Sequence, residues 1–307
     1  TAVSDPALPA SMRVIVRDWI NANHIVFTDD AGVDLVDTGH LHGIGQTLRL
    51  VDDALAGRPL RRILLTHCHS DHMGGCARLR ARHGCPIAVP RDDAHAVRAW
   101  DTRALWLDHA GQVAEPFPVD EEIAPGDRLR LGGLDWDVLP APGHDMGAIV
   151  FWQTDHRLLI SGDALWERGF GVVLPGEGWL DRCAAARETL LRLQALRARV
   201  VLPGHGRPFQ DADAAIGRAL ARLAAFESDE RKLARHVLQV MISYALLQEG
   251  ALPEDEAQRR FAAVPMFIEY ASDYFDQPAS DVVADVLDTL IAKGAVLRDA
   301  ANRLRAR

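Results

Sequence analysis

From position 66 the chain reads Thr-His-Cys-His-Ser-Asp-His, which places His67, His69, Asp71 and His72 within six residues. A lone histidine is ordinarily a surface or hydrogen-bonded core residue. Four such groups on one loop would repel one another when charged and would be costly to desolvate unless something bound them. A divalent cation is the natural compensator, because neutral imidazole and carboxylate are its ligands. In an extended segment His67 and His69 point the same way and can reach one ion. Asp71 and His72 follow after the chain has turned and can reach a second. Two ions about 3.5–4 Å apart can share a water.

Three further positions complete the set. Pro142-Gly143-His144 puts a histidine in a tight turn, Ser161-Gly162-Asp163 a carboxylate whose two oxygens could bridge both ions, and Pro203-Gly204-His205-Gly206 a last histidine. Each follows a predicted strand and is flanked by glycine, so all three lie at strand ends where the backbone can approach closely. The candidate metal ligands are therefore His67, His69, Asp71, His72, His144, Asp163 and His205. Two divalent ions are expected, zinc first from the histidine-rich donors, with iron or manganese as alternatives.

The elements that must position these groups follow from periodicity. Short β-rich runs cover residues 13–17, 23–28 and 33–36, the last two joined by a turn at Asp29-Asp30-Ala31-Gly32. A helical stretch follows Asp37-Thr38-Gly39 to about Ala56, and residues 62–65 form a buried strand running into the histidine loop. Gly74-Gly75 opens a helix with apolar spacing at Cys76, Leu79 and Ala81, followed by a strand at 86–89 and a helix at 91–100. Residues 105–118 have no period and read as a long loop of the kind that lines sites. Strands follow at 128–131, 134–139, 148–152 and 158–161, then an amphipathic helix at 180–195 and a strand at 200–202. Short antiparallel strands mixed with helices predict an α+β fold, two packed sheets under outer helices in an αββα sandwich.

Residues 1–11 read as a frayed terminus. Beyond Phe209 the texture changes: residues 211–249 are nearly continuous helix pattern, with Leu220, Leu223, Phe226, Leu233, Val237, Val240 and Leu247 on one stripe. Pro253 starts another helical segment. A third spans 280–292, with Ser280 as N-cap and Gly294 as terminator, before a small strand from Gly294 to Leu297. The expected organisation is a catalytic domain over 1–210 and a helical, winged-helix-like appendage over 211–307. The appendage holds 16 acidic against 12 basic residues, so packing or dimerisation suits it better than nucleic-acid binding.

The whole chain, 307 residues with a formal charge of −9, lacks the basic surplus that tracking phosphates or adhering to anionic membranes needs. A small-molecule substrate is expected, with neither nucleic acid nor membrane as partner. Four cysteines without a CxxC pair read as reduced thiols. With no long apolar run and no basic-then-apolar leader, a cytoplasmic location is expected.

The His-x-His-x-Asp-His run at 67–72, followed by His144, Asp163 and His205, resembles the metallo-β-lactamase superfamily, particularly its glyoxalase-II-like hydrolases, over about residues 12–210. Asp37-Thr38-Gly39 resembles the turn whose aspartate supports the metal loop. The resemblance implies an αββα sandwich, one ion on His67, His69 and His144, a second on Asp71, His72 and His205, and Asp163 bridging. The similar class B β-lactamases carry Cys or Ser in place of Asp163, and flavodiiron proteins carry Glu in place of His69, which disfavours both activities. The nuclease branch's inserted domain has no counterpart.

The expected reaction is hydrolysis of an ester-like bond, thioester or lactone before amide or phosphodiester. A hydroxide shared by two ions attacks the carbonyl, and Asp71 orients it and accepts its proton. The alternatives are an oxidoreductase resembling the persulfide dioxygenases, with one iron on His67, His144 and Asp163, and, last, a nucleic-acid phosphodiesterase. Elsewhere, His40 and His42 read as loop residues near the site entrance and Cys68 as buried packing. Trp100, Trp106, Trp166 and Phe170 suit either a pocket or the core. Tyr244 and Tyr270 have no direction that the sequence fixes, and His83, His95, His109, His156 and His236 lack ligand spacing.

Overall fold

The computed structural model describes residues 8–307. One sheet holds β1 (Met12–Ile15), β2 (His24–Asp29), β3 (Gly32–Val36), β4 (Leu60–Leu64), β5 (Ile87–Pro90) and β6 (Glu121–Ile123) in chain order. The other holds β7 (Arg128–Leu131), β8 (Leu134–Pro140), β9 (Ile149–Gln153), β10 (Leu158–Gly162) and β11 (Val200–Pro203), running from β11 across to β7. Between them Phe27, Val36 and Leu64 are buried against Trp136, Phe151, Ile160 and Leu202. The first sheet's outer face is closed by Val51 and Leu55 of α1 (Ile44–Leu55), Leu79 of α3 (Cys76–His83) and Val97 of α4 (Ala94–Ala99). The second is covered by α5 (Trp179–Ala195) and α6 (Ala212–Glu227) through Leu190, Leu193, Ala215 and Ile216. This is the αββα sandwich.

The strand directions correct the antiparallel expectation. β1–β2–β3 and β7–β8–β9–β10 are antiparallel, but β3 to β6 run parallel and β10 pairs β11 in parallel. Helical crossovers such as α1 and α5 return the chain to the same end of the sheet, which a hairpin cannot do. Two short elements escaped the pattern, β6 and the single helical turn α2 (Ser70–Met73). Ala81 is exposed, so the buried face of α3 is Cys76 and Leu79 alone. The expected frayed terminus lies partly outside the described residues. Its described part is pinned, because Thr28 N–H donates to Ser11 O at 2.8 Å.

The C-terminal part continues with α7 (Glu230–Glu249), β12 (Leu252–Pro253), α8 (Glu254–Ala262), α9 (Pro265–Tyr270), a π-helical turn over Ala271–Phe275, α10 (Ala279–Ala292), β13 (Val296–Arg298) and β14 (Arg303–Ala306). The last strands pair antiparallel in the order β12-β14-β13. Helices and a small three-stranded sheet make up this part, with β12 and β14 as strands the sequence pattern left out. The helix pattern of 211–249 breaks at Ser228-Asp229, where the Asp229 carboxylate accepts from Lys232 N at 2.9 Å and caps α7. α10 begins after Pro278, so Ser280 lies inside its first turn instead of capping it. One buried apolar cluster runs from Leu190 of α5 through Leu233 and Val237 of α7 to Val286 of α10, so these segments pack as a continuous body.

Candidate metal centre

Every candidate ligand leaves the carboxyl end of a strand. β4 runs through Leu65 and Thr66 into His67 and His69, α2 then carries Asp71 and His72, the turn after β8 carries His144, Asp163 follows β10, and His205 follows β11. His67, His69 and His144 converge as one group, and Asp71, His72, Asp163 and His205 as a second, each with its donor atoms within 4.8 Å of one another. In the first group His69 Nδ1 lies 2.8 Å from His144 Nε2. In the second His205 Nε2 lies 2.9 Å from Asp71 Oδ2. Asp163, 6% exposed, stands between them. Its Oδ1 is 3.3 Å from His72 Nε2 and 3.7 Å from His205 Nε2, while its Oδ2 is 3.7 Å from His144 Nε2.

Outer contacts fix which atoms face inward. His72 Nδ1 donates to Asp37 Oδ2 at 2.8 Å and His144 Nδ1 donates to Val172 O at 2.6 Å, leaving each Nε2 for the centre. Asp37 also accepts from Thr66 N and Thr66 Oγ1, both at 2.9 Å. It holds this position from a left-handed φ of 58°, uncommon for a residue with a side chain. Trp166 Nε1–H donates to Asp163 Oδ1 at 3.0 Å. Gly204 leaves the room required here, since a Cβ would press into Asp163 Oδ1 and lie 2.9 Å from His72 Cε1.

Burial holds His67 well below the usual histidine range, with the His72 and His69 rings adding to the effect, and burial likewise pushes His69 and His144 down to about 4. These rings are neutral near pH 7, the form that ligates metal. His72 behaves oppositely: burial alone would lower it, but Asp37, Asp163 and Asp71 outweigh that and raise it well above its ordinary value. Burial alone would raise the Asp163 carboxyl, yet His205 and His72 hold it at about 2, and Asp71 is held low by His72 and His205 in the same way. The Nε2 atoms of His67 and His72 are buried with no hydrogen-bond partner among the described residues. A buried polar atom in that state is costly unless bound, and five imidazoles with two carboxylates are donors that suit divalent cations. The residues fit a metal pair.

The centre opens onto a cavity of about 630 Å³. Trp106, Trp166 and Phe170 line it, with Leu105, Ala110 and Gln112 from the loop expected to do so. Trp100 does not; it packs edge-on against Phe117 in the core of the first sheet. Sequence reasoning missed Trp19, which is 52% exposed and stacks 5.6 Å over His205. It lies in an irregular stretch where no period could reveal it. It also missed the direction of α7, which forms the opposite wall through Val240, Met241, Tyr244 and Leu247. Val240 and Leu247, expected on the core stripe, therefore face the cavity. The Tyr244 hydroxyl donates to Ile20 O at 2.9 Å, and burial together with the Asp71 charge pushes its pKa well above 10. Tyr270 instead packs on Tyr274. His40 is wholly buried beneath Tyr244, not at an entrance, and its Nδ1 accepts from His42 N. Cys68 is buried.

The family model for the metallo-beta-lactamase superfamily matches residues 17–205. A hydroxyacylglutathione hydrolase of Cereibacter sphaeroides is 30% identical over 195 residues, 63% of this chain but only 66% of that protein's length. An uncharacterized protein of Mycobacterium leprae is 32% identical over 195 residues, covering 61% of this chain and 87% of its own. Among solved structures, a metallo-beta-lactamase family protein from Thermus thermophilus shares the fold over 98% of this chain and 100% of its own, with a TM-score of 0.60 at 23% identity.

Proposed function

The chain belongs to the metallo-β-lactamase superfamily, and on that premise we propose that it is a binuclear metallo-hydrolase cleaving an ester-like bond, thioester or lactone, in a small molecule. The observation that carries this reading is Asp163, whose two oxygens face two separate donor groups. His67, His69 and His144 would hold one cation and Asp71, His72 and His205 the other, with Asp163 shared and zinc the first expected metal. Bound there, the cations supply a water activated near neutral pH and Lewis-acid polarisation of the scissile carbonyl.

The chain's own residues then divide the remaining work. Asp71, held ionised by His72 and His205, orients the attacking water and accepts its proton at a carboxylate oxygen. Asp37 and the Val172 carbonyl fix the rings of His72 and His144. Trp19, Trp106 and Phe170 restrict solvent and give an acyl group an apolar wall. The resemblance to hydroxyacylglutathione hydrolases supports a thioester. Among the described residues no helix is long and apolar enough to cross a membrane.

Metal content measured alongside a panel of thioesters, lactones and phosphodiesters tests the reading. Two ions per chain with thioester or lactone turnover is the expected result. One iron per chain with oxygen uptake on a persulfide would replace it with the mononuclear oxidoreductase.

A further inference from the structure

The cavity has a second chemical end. Arg222 of α6, His236 of α7 and Lys293 just after α10 line the same space as His69 and Asp71. Tyr244, which feels the Asp71 charge, marks the metal end, and His236 lies eight residues earlier on the same helix, about 12 Å along its axis. Between them Val240 and Met241 line the wall, with Gln239 and Ser243 beside them. The three basic side chains come from separate elements yet sense one another: burial first, then the Arg222 and Lys293 charges, push His236 down to about 4. Gly169 leaves the Arg222 guanidinium its place, since a Cβ there would press into Nη1.

Neither Arg222 nor Lys293 is paired with an acidic side chain among the described residues, although this chain has acid in surplus and its other arginines commonly find it, as Arg62, Arg78, Arg82 and Arg187 do. The only side-chain carboxylates on the cavity wall among the described residues are Asp71 and Asp163, both in the metal centre. Positive charge therefore gathers at one end of a mostly apolar cavity with no side-chain counter-charge beside it, an arrangement that attracts an anion.

We propose that Arg222, Lys293 and His236 form an anion subsite for the substrate's carboxylate or phosphate, at the end of the mostly apolar cavity that lies about two turns of α7 from Tyr244. This rests on the hydrolase reading and narrows it to amphipathic anionic esters or thioesters. The two cations supply charge and the neutral His236 ring a hydrogen bond.

The test uses the metal-loaded protein and its Arg222→Gln/Lys293→Gln variant. Both side chains are exposed, so the fold survives. Octyl phosphate, octanoate and octanol are titrated against tryptophan fluorescence, with metal content checked in each sample. The expected result is a loss of about tenfold in affinity for octyl phosphate or octanoate in the variant, weaker at high salt, with octanol unchanged. Equal affinities in both proteins for both anions, or an equal loss for octanol, would overturn the subsite. Failure of the hydrolase reading looks different: no ester or thioester is turned over by the metal-loaded protein, while the binding contrast persists.

Discussion

The two walls of the cavity are built on different principles. The wall from the sandwich is polar and buried: seven ligand-type side chains beyond strand ends, several with buried atoms that have no hydrogen-bond partner among the described residues. The wall from α7 is mixed, with Val240, Met241 and Leu247 beside His236, Gln239 and Ser243. Its helix is anchored by Leu233, Val237 and Leu238 in the core, and Tyr244 lies within reach of the Asp71 charge. On the proposed reading the first wall cannot change without losing chemistry, because each donor would share its ion with the others. The second can change its lining without touching the donors. Such a division lets one metal centre serve different substrates.

Asp163→Ala breaks the comparison hardest. Both donor groups lose a shared member, so bound metal and turnover should fall together by more than about a hundredfold, since even the partners behind ligands are worth roughly 10–100-fold. Metal analysis after dialysis checks it; full metal retention would remove Asp163 from the centre. Asp37→Asn comes next. His72 loses its carboxylate acceptor, and metal affinity should drop by about 10–100-fold with the fold intact. A competition titration against a chelator reads this directly.

The polar wall was legible in the sequence for a physical reason. Four candidate ligands lie within six residues, and extended backbone points His67 and His69 the same way before any tertiary contact forms, while Asp71 and His72 follow on the turn of α2. His144, Asp163 and His205 were legible as glycine-flanked residues after strands. The α7 wall was not. Val240 and Leu247 share a helix with the truly buried Leu233 and Val237, and an apolar period cannot distinguish a face that meets core from one that meets a cavity. Trp19 and the parallel pairing of β3 to β6 depend on contacts distant in sequence and carry no local mark. The break at Asp229 did carry one, a capping aspartate, outweighed by the long helical period on either side.

Gly204→Ala tests how tightly the polar wall is packed. Its methyl group would meet Asp163 and His72, and overpacking of this kind costs about 1–3 kcal/mol. Denaturant unfolding should register that loss, with metal lost in parallel. His236→Gln probes the other wall through pH. The folded-state pKa of His236, about 4, lies below the unfolded value near 6.5. The unfolded chain therefore takes the proton first, and stability present above about pH 6.5 declines toward pH 4, by at most about 1.4 kcal/mol per pH unit. Unfolding midpoints at pH 7.5 and 5 should converge in the variant relative to the parent. An unchanged acid slope would show that His236 does not stay neutral in the fold.

Tyr244→Phe is the gentlest change and the one that joins the two walls. The hydroxyl spans them, donating from α7 to the carbonyl of Ile20, and its removal should cost about 1 kcal/mol of stability. If that hydrogen bond merely docks the helix, metal content and the pH dependence of turnover stay those of the parent. If the phenol also shapes the ground beside Asp71, the pH profile of turnover shifts while metal content holds, because the carboxylate loses a polar neighbour without losing a ligand. Measuring both on one preparation separates a wall that only covers the centre from one that takes part in it.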